Sequence, residues 1–146
     1  MTTTGLAVFD TTINETNRWL KALEEEINCD RHEAYDAMRA VMHALRDRLS
    51  PGGAARLAAQ LPLLLRGVFF EGWRPDETPI RTHRAEDFVE KVASALPPNF
   101  ALDPDRVTRA SLETLWNQMN GGAIEKIKDE VPSDIRELWP DMVFLA

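Results

Sequence analysis

A single cysteine, Cys29, leaves no partner for an intrachain disulfide and suits a reducing compartment. Histidine is nearly as scarce. The residues three before His32, His43 and His83 are Cys29, Ala40 and Ile80, so the Glu-x-x-His pattern of carboxylate-bridged di-metal bundles is missing. Basic charge is also short, with 17 Lys and Arg against 24 Asp and Glu and a net charge of −7. The one basic cluster, Arg81, His83 and Arg84, is too small to track a phosphate backbone, which argues against a nucleic-acid partner. No apolar run is long enough to span a bilayer: the longest, Leu61 to Phe70, is broken by Arg66. The N-terminus lacks the basic start and apolar core of a signal peptide. A soluble, cytoplasmic protein without a membrane partner is expected. Neither Gly52-Gly53 nor Gly121-Gly122 is followed by Lys-Ser/Thr, so neither pair is a phosphate loop; both read as helix-terminating turns.

What is present is an internal repeat. Leu45, Leu49, Leu57, Leu61, Pro62, Leu65, Arg66 and Phe69 recur seventy positions on as Leu115, Met119, Ile127, Val131, Pro132, Ile135, Arg136 and Trp139. Phe88, Val92 and Leu96 likewise match Trp19, Leu23 and Ile27 at an offset of sixty-nine. Apolar positions at helical spacing, repeated without a gap, imply helical units that cannot bury their apolar faces alone. The expected fold is all-α: an internally duplicated bundle of two four-helix units in one compact domain. The units cover about 13–71 and 85–139, joined by a linker over 72–84 that holds Pro75 and Pro79. The second unit is the more acidic, with six Lys/Arg against twelve Asp/Glu over 85–146, compared with eight against ten over 1–71.

Residues 1–12 read as a Thr-rich lead-in, with Leu6, Val8 and Phe9 available to pack, before a helix near 13–28. Asp30 with Glu33 predicts a capping box opening the second helix, whose apolar face is Ala34, Met38, Val41, Leu45 and Leu49. Ser50-Pro51-Gly52-Gly53 should end it, a short helix should occupy 54–61, and Pro62 should open a fourth with Leu64, Leu65, Val68 and Phe69 inside. Asp103-Pro104 should start the long helix of the second unit, with Val107, Ser111, Leu115 and Met119 inward.

No catalytic residues, cofactor or metal site follow from the pattern. His43, Asp36 and Asp47 lie near one helix face, but Arg39 and Arg46 beside them favour a solvated, ion-paired surface. Cys29 beside Asp30 and His32 lies at a helix start, which can activate a thiol, yet adjacency alone supplies no oriented base. Arg66 and Arg136 each follow the repeated proline by four residues on an otherwise apolar helix. They read as structural, bonding carbonyls freed at the proline or an acid such as Asp47, with anion anchoring as the functional alternative. Phe70, Trp73, Trp116, Trp139 and Phe144 are the candidate interface residues, since aromatic side chains are energetic anchors where exposed.

Val8-Phe9-Asp10, Asn17-Arg18-Trp19-Leu20, Leu45-Arg46-Asp47-Arg48-Leu49, Ala59-Gln60-Leu61-Pro62 and Phe70-Glu71-Gly72-Trp73-Arg74-Pro75 together resemble the DUF2267 family of bacterial proteins. The resemblance implies a duplicated helical fold and brings no catalytic residue, cofactor or substrate with it. The expectation for function is a non-enzymatic helical module working through a protein partner or self-association. The alternative is a small-molecule-binding protein or enzyme with a pocket between the two halves.

Overall fold

Helix α1 spans Ala7–Ile27 in the computed structural model, which describes residues 4–81, 84–119 and 128–138. It starts earlier than the Thr-rich composition suggests because Thr4 folds back on the first turn. The Thr4 backbone N–H and hydroxyl both donate to Asp10 Oδ1, at 3.1 and 3.0 Å, placing a carboxylate at the positive end of the helix. The helix closes on Asn28 in the left-handed region (φ 52°), with the Cys29 N–H returning to the Glu24 carbonyl. Helix α2 (Arg31–Asp47) opens with the expected capping box: Asp30 accepts from the Glu33 N–H at 2.8 Å, and Glu33 accepts from the Asp30 N–H at 3.0 Å.

The Ser50–Gly53 segment begins a helix instead of ending one. Ser50 caps α3 (Pro51–Ala58), Pro51 takes its first turn, and the Gly53 N–H donates to Ser50 Oγ at 3.0 Å. Gly52 and Gly53 lie inside that helix without positive φ, so the helix-terminating reading is corrected. The Glu130 carboxylate lies against Gly53, where a Cβ would push that side chain aside. Gly121 and Gly122 lie outside the described residues.

Pro62 then opens α4 (Leu63–Phe70), a 3₁₀ turn covers Pro75–Glu77, and α5 runs Ala85–Ala95. Asp103 caps α6 (Pro104–Gln118) by accepting from the Arg106 N–H at 3.1 Å. A second 3₁₀ turn, Lys128–Glu130, leads to the short α7 (Ser133–Arg136). All regular structure among the described residues is helical.

These helices enclose one apolar cluster. Helix α1 packs on α2, α4 and α6, while α2 packs on α1, α4, α5 and α6. Trp19, Leu23 and Ile27 meet Met38, Val41, Met42 and Leu45, joined by Phe69 from α4, Phe88 and Val92 from α5, and Val107, Leu112 and Leu115 from α6. Full burial of each large side chain stabilises the fold by roughly 1.5–3 kcal/mol. Leu65 and Phe69 are buried as expected, but Leu64 is exposed, because α4 turns its 65/69 edge inward and its 63/64 edge outward.

Candidate functional site

Three polar side chains in the C-terminal half of α2 reach toward the end of α4. Arg46 is buried; its Nη1 donates to the Phe69 carbonyl at 2.9 Å and the Glu71 carbonyl at 2.8 Å, while Nε bonds Asp47 Oδ1 at 2.8 Å. His43 Nε2 bonds the Val68 carbonyl at 2.7 Å, and Arg39 Nε bonds Glu71 Oε1 at 2.9 Å. Three side chains of α2 thus hold the C-terminal turn of α4, where carbonyls lack helical partners and carry partial negative charge. The Asp47 carbonyl in turn accepts from the Ile80 N–H at 2.7 Å, pinning the segment after α4 to the end of α2. The expected solvated face is therefore corrected at His43 and Arg46, which face α4.

Arg48, also buried, donates to the Ala44 carbonyl at 3.0 Å and lies over the Phe88 ring at 5.2 Å. Burial lowers its pKa, and Asp47, Asp134 and Asp87 oppose that shift.

Burial lowers the His43 pKa below its ordinary value of 6.5, and Arg46 and Arg39 push the same way, against its bond to Val68 and the charge of Glu71. The unfolded chain then binds a proton at this residue more readily than the folded one. The contribution is whole above pH 6.5 and lost progressively as pH falls from there toward the folded value. Denaturant midpoints measured at pH 8 and pH 5.5 should fall with acid more in the native protein than in His43→Gln, which keeps an N–H donor without a titration. A wild-type-to-variant difference constant with pH would refute this.

Arg66 and Arg136 occupy matching places. Pro62 and Pro132 precede their helices with nearly the same backbone, φ −54° and −57°, both with ψ 146°. Arg66 Nε donates to the Ala58 carbonyl at 3.0 Å and Nη2 to the Leu61 carbonyl at 3.3 Å; Arg136 Nε donates to the Val131 carbonyl at 3.0 Å. Leu61 and Val131 each stand immediately before the proline. Asp47 is not the partner of Arg66, since its carboxylate engages Arg46. Arg66 also borders a polar cavity of about 340 Å³ together with Glu15, Arg18, Gln60 and Gln118.

The candidate interface aromatics are scattered. Phe70 is half-buried, with its ring edge-on to Phe69 at 5.2 Å and tilted against Trp73 at 4.9 Å. Trp73 is half-buried too, and its Nε1 has no hydrogen-bond partner among the described residues. Trp116 packs partly buried against the core from α6. Trp139 and Phe144 lie outside the described residues.

The exposed apolar surface gathers elsewhere, at the N-terminal ends of α1 and α4. Leu6, Val8 and Phe9 are 52, 58 and 48% exposed, and Leu63 and Leu64 are 48 and 47% exposed. The Leu64 N–H donates to Thr12 Oγ1 at 2.8 Å, joining the two helix ends. Val8 lies one turn before Thr12, and Phe9 one turn before Thr12 on the neighbouring line, so the buried stripe of α1 continues into solvent beside Leu63 and Leu64. In sequence this was hidden by treating residues 1–12 as a lead-in; the signal was that Val8, Thr12, Thr16, Trp19 and Leu23 already share a helical line.

Cys29 is half-buried, and burial pushes its thiol up to about 11, with Glu33, Asp30 and Glu24 adding to the shift. That is the reverse of activation.

A family model described as an uncharacterized conserved protein, DUF2267, matches residues 16–138. The chain belongs to the DUF2267 family. No curated protein matches it. Within this DUF2267 protein, the Leu45-Arg46-Asp47-Arg48-Leu49 segment is built into the core: both leucines are buried, Arg46 holds α4, and Arg48 reaches Phe88 of α5. No helix among the described residues of this DUF2267 chain is long and apolar enough to cross a membrane.

Proposed function

We propose that this DUF2267 protein is a non-enzymatic interaction module of the bacterial cytoplasm, a single domain made of two related helical units that binds another protein through the exposed end of α1 and α4. The observation that carries this reading is the cluster of Val8, Phe9, Leu63 and Leu64, each about half exposed or more. Large apolar side chains gathered in one place and left in water are a common mark of a protein-binding surface. The candidate polar groups His43, Arg66 and Arg136 all bond main-chain carbonyls, as does Arg46. Duplication is supported by the matching proline–arginine geometry at the starts of α4 and α7.

Affinity capture from the native host with the full chain, compared with a Phe9→Glu/Leu64→Glu variant, tests the reading. A protein retained by the native chain and lost from the variant, at unchanged helix content, is the expected result. An identical retained set would remove the α1–α4 end from consideration.

A second reading has one observation in its favour. The polar cavity beside Arg66 brings Arg18, Gln60 and Gln118 together, a lining suited to a small anion, although Glu15 shares it. A bound metabolite released from the captured protein, with no protein retained, would favour this cavity over the apolar end.

A further inference from the structure

A second surface, sharing no residue with the α1–α4 end, carries a more specific partner. An open groove of about 500 Å³ runs between α5, the first turns of α6 and Leu138. Ala85, Val89 and Ala93 recur every four residues along one line of α5 and form its floor, joined by Pro104 and Leu138 among the described residues. Eight residues of helix extend about 12 Å, enough to seat two turns of another helix. Small floor side chains let a second backbone approach to helix-packing distance.

The rim is acidic on both sides. Glu86 and Glu90 run beside the floor on α5, and Asp103 and Asp105 face them from the start of α6. Among the described residues of the lining Arg109 is the one cation, and it pairs with Asp105 at 2.8 Å. Arg84 reaches Glu86 at 3.4 Å, but their side chains are 71 and 72% exposed, so water screens that pair and an incoming cation can replace it.

We propose that this groove docks a short basic amphipathic helix of a partner protein, with apolar side chains on the α5 floor and Lys or Arg side chains on the rim. Charge selects that occupant. A second copy of this chain would bring a net charge of −7 to an acidic rim. The chain's own residues 139–146 carry only Asp141, of the same sign as the rim. The proposal deepens the interaction reading by naming a partner chemistry, and its test does not depend on the α1–α4 end.

The test uses the full chain, isotope-labelled for NMR, and a short fluorescent helical peptide of leucines at i, i+3, i+4 and i+7 with lysines elsewhere. A matched peptide carries glutamate in place of every lysine. Saturable binding of the lysine peptide is expected, with shifted amides centred on 85–93, 103–109 and 138. The glutamate peptide should bind roughly tenfold more weakly or worse, as should the lysine peptide to Glu86→Lys/Glu90→Lys. Ala85→Leu/Ala93→Leu, which fills the floor at constant charge, should weaken it comparably. Binding to both variants as tight as to the native chain, shifts centred on Glu24–Glu26, or no saturable binding would overturn the proposal. So would binding that appears only once residues 139–146 are removed, which would make that segment the natural occupant. None of these results bears on the Phe9 and Leu64 comparison.

Discussion

Arg46→Ala is expected to cost about 3–5 kcal/mol of unfolding free energy. Two main-chain carbonyls, of Phe69 and Glu71, would lose a charge-assisted donor, and the half-buried Asp47 carboxylate would lose its ion-pair partner. The guanidinium serves three acceptors in different directions, so Arg46→Lys should recover only part of the loss: a single ammonium cannot reproduce that fork. A urea midpoint that drops steeply at unchanged slope is the expected signature. A loss under about 1 kcal/mol would mean that water replaces the arginine at the end of α4 and that the clamp is dispensable.

The second large effect is expected at Phe88, which is fully buried on α5. Truncation to alanine should destabilise by about 3–5 kcal/mol, combining lost transfer energy with the cavity left behind. Part of that cost is particular to this site, because the ring face lies 5.2 Å from the Arg48 guanidinium carbon. Removing the ring leaves a buried cation with less compensation, worth about 0.5–2 kcal/mol of the total. Comparing Phe88→Leu in the native and Arg48→Met backgrounds isolates that portion: the leucine penalty should shrink when no cation is present. Equal penalties in both backgrounds would show that the ring acts only by filling space.

Much of the local structure was legible in the residues themselves. Asp30 with Glu33, and Asp103 with Pro104, open α2 and α6 as capping chemistry requires, and Pro62 opens α4. Gly52-Gly53 misled because glycine pairs commonly end helices, whereas here Ser50 and Pro51 supply a stronger start signal immediately before them. Leu64 differs from expectation because three consecutive leucines, Leu63 to Leu65, leave the inward edge of a short helix undetermined until its neighbours are known.

The arginine roles were harder to foresee. The carbonyls that receive Arg46 are 23 and 25 residues away in sequence, beyond the reach of any local pattern. A trace did exist: Met38, Met42 and Arg46 lie four apart on one line of α2, so the arginine continues a buried stripe. The α5–α6 groove depends on how helices cross, which spacing along the chain does not encode.

The pairing of α1 with α6 has a consequence for the newborn chain. Helix α1 leaves the ribosome before α6, and the residues that cover it, Val107 to Leu115, follow some eighty positions later. Until they emerge, Trp19, Leu23 and Ile27 have only α2 and α4 against them. Synthesis at about 5–20 residues per second leaves that face uncovered for seconds, long enough for holding chaperones to engage it before the fold can close.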